Sequence, residues 1–374
     1  MEHNFSGEQL RIARIFSELT LQDLAETIGD VSKQYLQQLE KGVKTPSDDM
    51  ISALSDALYV EEDFFYEASS SFIAEDQCHF RKLASTPAFV KEQARIYGGL
   101  LDKFIRFVET EIELPAVNFK KVYNISQDSI EHIAEYCREL WGLGKNTPIK
   151  NMTTVLERAG AIVSYFKGVS DKVDAFSFEM TRPIIIRNDA KDSGGRLRFD
   201  LAHECGHIVM HEGIETGDAE TEAQANQFAS SFLLPKEAFF NEFSFLSSPR
   251  IQWGLLVERK KRWKVSLAAI FKRAHDLGII NSIQYRNANI ALRRNGWAKT
   301  EIGDEFIEME APVLIKKSLK YLEERSIGIV SCLKALHIKK EFLEKLTGIS
   351  IAEPASNVIP LFKKNISNYQ DTDG

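Results

Sequence analysis

His203 and His207 stand four residues apart with a glutamate between them, in the run His203-Glu204-Cys205-Gly206-His207. On an α-helix that spacing projects both imidazoles from one face, roughly 6 Å apart, so two ring nitrogens can meet at a single zinc ion. Glu204, adjacent to His203, sits beside such a metal without filling its coordination sphere, where a carboxylate can take a proton from water. A pattern of this kind arises by chance in on the order of one in a hundred chains of this composition, so its surroundings must decide. A catalytic zinc needs a third protein ligand and one open position. Downstream, Glu222 offers a carboxylate, and Asn226, one helical turn on, offers an amide that can orient a ligand imidazole. Glu220 competes with Glu222 as the ligand; the Asn226 spacing is what favours Glu222. A longer motif ending in a third histidine fails, because it needs Gly and then His where this chain has Met210 and Gly213. His211 lies one turn beyond His207 and two beyond His203, too far to share the metal with both, and reads as a cap or surface residue. Cys205 reads as a small apolar filler.

The elements that must hold these residues follow from periodicity and punctuation. Arg196 to His211 is an apolar helix, and a second helix carries Glu220 to Leu234 as far as Pro235. Three strands precede them, Ala161 to Phe166, Val173 to Phe178 and Pro183 to Arg187, with the β-branched run Ile184 to Ile186 the clearest signal. Further upstream come helices at Met152 to Ala159, Ser126 to Trp141 and Lys91 to Glu113, the last ended by Pro115. Ser69 to Ser71 and the mixed stretch to Gln93 read as a hinge.

From Phe5 to Phe65 the pattern is short helices with tight turns. Thr20 and Asp23 form a capping box for a helix through Leu21, Leu24, Ala25 and Ile28 that Gly29 ends. Ser32 caps a second helix with Leu36 and Leu39 facing inward, closed by Gly42 and Pro46. Two helices across so short a turn fit a helix-turn-helix, and this stretch resembles the XRE (Cro and phage-repressor-like) DNA-binding domain. The resemblance implies double-stranded DNA as partner. Gln22 would bond a backbone phosphate, Lys33, Gln34 and Gln38, behind the Ser32 cap, would reach base edges, and Lys41 and Lys44 would flank on phosphates. The chain departs from the usual pattern by an extra turn residue, Asp30, and by acidity. Up to Tyr66 there are 5 Lys+Arg against 13 Asp+Glu, but between Val31 and Lys44 there are three Lys against one Glu. The few cations therefore cluster on the expected reading helix. One module reads few base pairs, so a homodimer on a symmetric operator is expected.

The central stretch Val173 to Pro235 closely resembles the ImmA/IrrE family of zinc metallopeptidases. The carriers are Asp174-Ala-Phe-Ser-Phe, Arg182-Pro183, Arg198-Phe-Asp-Leu-Ala-His-Glu-Cys-Gly-His207, and Glu222 with Ala225-Asn226, Phe228-Ala229 and Leu233-Leu-Pro235. Weaker similarity runs from Ser126 to Gly168 and from Trp263 to Trp297. The resemblance implies a gluzincin-like fold, zinc held by His203, His207 and Glu222, Glu204 as catalytic base, and endopeptidase action on proteins, often helix-turn-helix repressors.

The chain of 374 residues, 44% hydrophobic and 27% charged, exceeds what one core usually serves. The expected architecture is mainly α and multidomain: a helix-turn-helix domain over 1–66, a hinge and helical linker over 67–125, an α+β metallopeptidase domain with a small sheet over 126–240, and a mostly helical region over 241–374. No apolar run spans a bilayer, Met1 to Leu10 carries charge in place of a signal-peptide core, and four scattered cysteines suggest reduced thiols, so a cytoplasmic address is expected. Arg259 to Lys264, five cations in six positions around Trp263, and Arg293-Arg294 before Trp297 could attract nucleic acid, but read better as a solvated helix start. Beyond Glu310 helices are expected at Ile315 to Glu324 and Ile338 to Leu346, with no chemistry. The expected function is a DNA-binding regulator whose zinc endopeptidase cleaves a repressor-type protein, itself or a partner. The alternative is a DNA-binding repressor whose metal site is structural or inactive.

Overall fold

The computed structural model describes residues 4–67, 78–80, 88–123, 125–166, 175–188, 193–214, 216–248, 250–324 and 328–351. The stretch Ser69 to Ser71, read as a hinge, lies outside the described residues. Four helices open the chain: α1 (Gly7–Phe16), α2 (Leu21–Ile28), α3 (Lys33–Glu40) and α4 (Asp48–Leu58). Each begins on a hydroxyl cap, Ser6, Thr20, Ser32 or Ser47, that accepts a backbone N–H of the first turn. At Thr20 the Asp23 carboxylate returns the bond to the cap N–H at 2.8 Å, which completes the capping box; the Thr20 hydroxyl first, and this N–H second, hold the Asp23 carboxyl below its usual value. Gly7 is required where α1 crosses the end of α3, since any Cβ there would overlap the carbonyls of Leu39 and Glu40. Arg14 locks the same crossing with two bonds to the Glu40 carboxylate, at 2.5 and 3.1 Å, and one to the Leu19 carbonyl at 2.8 Å.

After a 3₁₀ turn at Glu62–Tyr66 come the short strand β1 (Cys78–Phe80) and the long helix α5 (Ala88–Glu111). The middle of the chain runs α6 (Gln127–Leu140), α7 (Met152–Arg158), β2 (Ile162–Phe166), β3 (Ala175–Glu179), β4 (Pro183–Asn188), α8 (Gly194–Met210), α9 (Ala219–Leu233) and α10 (Lys236–Phe243). It continues with α11 (Trp253–Trp263), α12 (Leu267–Asp276), α13 (Ser282–Arg294), α14 (Leu314–Glu324), α15 (Gly328–Leu336) and α16 (Lys340–Thr347). The fold is mainly helical and multidomain with one small sheet, as expected. β1 is an addition to that reading, and α5 begins at Ala88, inside the stretch to Gln93 read as a hinge, because its apolar period already runs through Ala88 and Val90.

The sheet runs in the order β1-β3-β4-β2, with β2 parallel to β4 and the other two pairings antiparallel. Side chains alternate across a strand, so each strand feeds both faces. Ile162, Phe176, Phe178, Ile184 and Ile186 enter one hydrophobic core, which also holds α1 to α5 and α14 to α16. Val163 and Ile185 enter a second core with α6 to α9 and the helices up to α13. The N-terminal helices are thus seated on the sheet side of the molecule. Phe16 stacks on Phe342 with centroids 4.2 Å apart, and on Tyr97 at 6.2 Å. Val60 and Ile338 form a backbone bridge, flanked by bonds from Glu61 N–H to the His337 carbonyl and from Lys339 N–H to the Tyr59 carbonyl, both 2.9 Å. Tyr97 joins three elements: its buried hydroxyl donates to the Leu346 carbonyl at 2.7 Å and lies 3.0 Å from Ser164 Oγ on β2.

Candidate metal centre and DNA-reading helix

α8 carries His203, Glu204 and His207, and α9 carries Glu222 and Asn226. The two helices approach closely because Gly206 has no side chain; a Cβ there would press on the Phe228 ring at 3.1–3.2 Å. α9 starts on Asp218, which caps the N–H groups of Glu220 at 2.8 Å and Thr221 at 3.1 Å. The Thr221 hydroxyl bond to this carboxylate contributes most to keeping it below its usual range. Arg198, one turn and a half before His203, is buried and tied to the Glu310 carboxylate and, at 2.7 Å, to the Ile149 carbonyl. Glu310 also receives the Thr153 N–H at 2.9 Å, so the entry to α8 and the start of α7 share one anchor.

Three ligand-type atoms converge. His203 Nε2 and His207 Nε2 lie 3.0 Å apart, and the two Glu222 oxygens lie 3.5 Å from the first and 3.4 Å from the second. Bonds of about 2.0–2.1 Å at tetrahedral angles put ligand atoms roughly 3.3 Å apart, so one zinc-sized ion fits the trio. The far ring nitrogens decide the tautomers. His203 Nδ1 faces Asn226 Oδ1 at 3.1 Å, an acceptor, and so carries the proton. His207 Nδ1 faces His211 Nδ1 at 2.9 Å, and His211 Nε2 faces Gln224 Oε1 at 2.8 Å. If Gln224 accepts from His211 Nε2–H, His211 Nδ1 is an acceptor and His207 Nδ1 must donate to it. Both Nε2 lone pairs are then left toward Glu222, the arrangement a cation requires. Glu220 points elsewhere: it is exposed, and its carboxylate accepts from Gln224 Nε2 at 3.3 Å.

Glu204 is fully buried beside this trio, and its Oε2 accepts a 2.7 Å bond from Ser177 Oγ on β3. A cleft of about 850 Å³ between α8, α9 and α12 opens next to Asn226, with Phe199, Asp200 and Gln227 on its wall. Cys205 packs into the second core, where burial pushes its thiol well above the usual range and keeps it neutral.

In the N-terminal helices, Ser32 caps α3 through the Tyr35 N–H at 3.1 Å, and Lys33, Gln34, Lys41 and Lys44 are exposed on and after it. Gln22 is exposed at the start of α2 and bonds Glu26 at 2.8 Å. Gln38 is half-buried, and its carbonyl accepts the Val43 N–H at 2.9 Å, turning the chain after α3.

A family model of the helix-turn-helix matches residues 10–65, and one of a peptidase family, the IrrE N-terminal-like domain, matches residues 156–275. The chain joins an XRE-type helix-turn-helix to an IrrE-like peptidase domain. No curated protein aligns significantly with it. Among the described residues no helix is long and apolar enough to cross a membrane.

Within the IrrE-like domain the structure brings together His203, His207, Glu222 and Asn226, with Glu204 alongside. His211 requires a correction. It does end α8, but it is no surface residue: it is 1% exposed and holds the far nitrogen of His207. Its i, i+4 distance from His207 carried that signal, since the same helix geometry that forbids sharing one metal with both histidines allows ring-to-ring contact. Ser177 is a contact to Glu204 that the sequence signals only as a lone hydroxyl between two phenylalanines in Phe176-Ser177-Phe178. The basic run Arg259 to Lys264 ends a helix, α11, and does not start one. Lys260 is 0% exposed between Glu301 and Asp304, at 2.7 and 2.6 Å, and Arg262 pairs with Glu242. Of the five cations Lys260 alone is buried, while Arg259 and Arg262 are partly neutralised by Glu242 at the surface.

Proposed function

We propose that this chain is a DNA-binding transcriptional regulator whose IrrE-like domain is a zinc-dependent endopeptidase acting on a repressor-type protein. One observation carries the reading: His203 Nε2, His207 Nε2 and the Glu222 carboxylate oxygens converge at 3.0–3.5 Å, the spacing of ligand atoms around one zinc-sized ion. Zinc bound there supplies Lewis acidity toward a scissile carbonyl and toward water. His203, His207 and Glu222 would hold it, with Asn226 fixing the His203 ring. Glu204 takes the proton of the attacking water and returns it to the leaving amine, and Ser177 keeps its carboxylate turned toward the site.

For DNA, Lys33, Gln34 and Gln38 are the base-reading residues of α3, while Gln22, Ser32, Lys41 and Lys44 contact phosphates, with a homodimer doubling the site. A separate protein is the better substrate than the chain itself. The helix-turn-helix shares a buried core with α5 and α14 to α16, so cutting the connection between residues 67 and 88 leaves it held in place.

The test is to incubate the zinc-loaded parent and Glu204→Gln with a helix-turn-helix repressor encoded beside this gene, and to read fragments by mass spectrometry. The parent is expected to cut, and Glu204→Gln to keep zinc and lose cleavage. Equal fragmentation by both would remove Glu204 as the base, and full zinc content in His203→Ala would remove the metal centre.

A further inference from the structure

Between α1 and α5 lies a cavity of about 180 Å³, far from the metal ligands in the fold and lined by residues of the first core. It has room for about six waters, and is smaller than the roughly 300 Å³ at which pockets for drug-sized ligands begin. Two features set it apart from a packing void. Asp102 on its wall is 4% exposed; its Oδ2 accepts from Arg106 Nε at 2.6 Å, but its Oδ1 is buried with no hydrogen-bond partner. A buried carboxylate oxygen is costly to keep unless something brings it a donor. The second feature is Gly99, one turn before Lys103 on the same wall and in the middle of the 24-residue α5. A glycine there weakens the helix relative to alanine. At Gly7 and Gly206 close neighbours require the absence of a side chain, whereas at Gly99 a Cβ would meet nothing within 4 Å. What Gly99 leaves open is the cavity itself.

The walls describe the molecule that fills this room. Asp102 Oδ1 calls for a donor, and a cationic donor makes the stronger bond. Yet the lining carries Arg95, Lys103 and Arg106 against Glu67 and Asp102, so a bare cation would face an excess of positive charge. A molecule with its own carboxylate beside its ammonium meets both demands. Ile12, Ile96 and Leu100 offer an apolar surface for the remainder, and Gln9 on α1, itself 3% exposed, brings an amide able to serve either charged end. We propose that this cavity binds a free α-amino acid with an aliphatic side chain, its ammonium on Asp102 Oδ1 and its carboxylate toward Lys103 and Arg95. Gln9 and Ile12 belong to the helix that crosses α3 at Gly7, so the occupant braces the DNA-reading helices against α5. Neither zinc nor cleavage enters into this binding.

The test is calorimetric titration of the full chain with L-alanine, L-valine, L-leucine, L-isoleucine and L-methionine in turn, with metal removed by chelation so that no amino acid is held by zinc. At least one is expected to bind and to slow amide exchange in α1 and α5. The same molecule without its amino group, 4-methylpentanoate in the case of leucine, is expected to bind about tenfold more weakly or not at all. Asp102→Asn is expected to weaken binding roughly 10- to 100-fold. Gly99→Leu leaves Asp102 in place and puts a better helix former into the open room, so it is expected to fold and to lose binding, and it decides the matter if Asp102→Asn fails to fold. Binding of none of the five would overturn the proposal and leave the cavity to water. Equal binding of the deaminated acid, or undiminished affinity in Gly99→Leu, would overturn it as well.

Discussion

A metal-binding histidine uses one ring nitrogen, and the partner of the other sets its tautomer and its aim. In the proposed metal centre the far nitrogens face Asn226 from His203 and His211 from His207. Asn226→Ala and His211→Ala are each expected to weaken zinc binding by about 10- to 100-fold, read by competition with a chromophoric chelator. Ser177→Ala is expected to leave zinc affinity unchanged and to slow cleavage; a fall in zinc affinity as well would place Ser177 in the support of the ligands. His203, Glu204 and His207 were legible because their relation is local, fixed by one helix. Glu222 was legible only as one of two glutamates, because its choice over Glu220 depends on how α9 rolls against α8 at Gly206. The Ser177 contact crosses from strand to helix, and no spacing rule reaches that far.

Between elements, polar anchors outside the metal centre set the geometry. Glu157 on α7 is one: its carboxylate accepts the N–H groups of Val313 and Leu314, both 2.9 Å, and so holds the start of α14. Burial outweighs those donors and lifts its carboxyl above the usual 4.5. With the folded value above the unfolded one, protonation favours the fold. That contribution is fully present below about pH 4.5 and is lost as pH rises through the folded value. Glu157→Gln keeps an acceptor without the charge, so its melting temperature relative to the parent is expected to rise between about pH 4 and pH 7. A parent–variant difference flat with pH would contradict this. Helices and the three central strands could be read from periodicity and β-branching. β1 could not, since three residues carry no period, and the burial of Lys260 could not, since its partners Glu301 and Asp304 lie in a distant loop.

At the scale of the whole molecule, the DNA-reading helices and the C-terminal helices fold as neighbours although they open and close the described chain. Phe342→Ala removes the ring stacked on Phe16 and is expected to cost about 3–5 kcal/mol. The loss should be felt in the helix-turn-helix, as faster amide exchange in α1 measured by mass spectrometry. Unchanged protection in α1 would show that the N-terminal helices hold themselves together. Composition pointed to several domains, but not to this pairing, because an apolar helix face does not name its partner. Phe16, Tyr97 and Phe342 each looked like ordinary core residues of separate segments.

The alternation along β3 and β4 has a bearing on interchange. Phe176, Phe178, Ile184 and Ile186 enter the core shared by the N-terminal helices, α5 and α14 to α16, while Ile185, between two of them, enters the core of α6 to α13. A peptidase half expressed from the sheet onward would keep α14 to α16 but lose α1 to α5, leaving part of that core uncovered, and is a poor candidate for solubility. A different DNA-reading head could be grafted here only together with a tail shaped to the same four side chains: this regulator exchanges its specificity as a matched head and tail, or not at all.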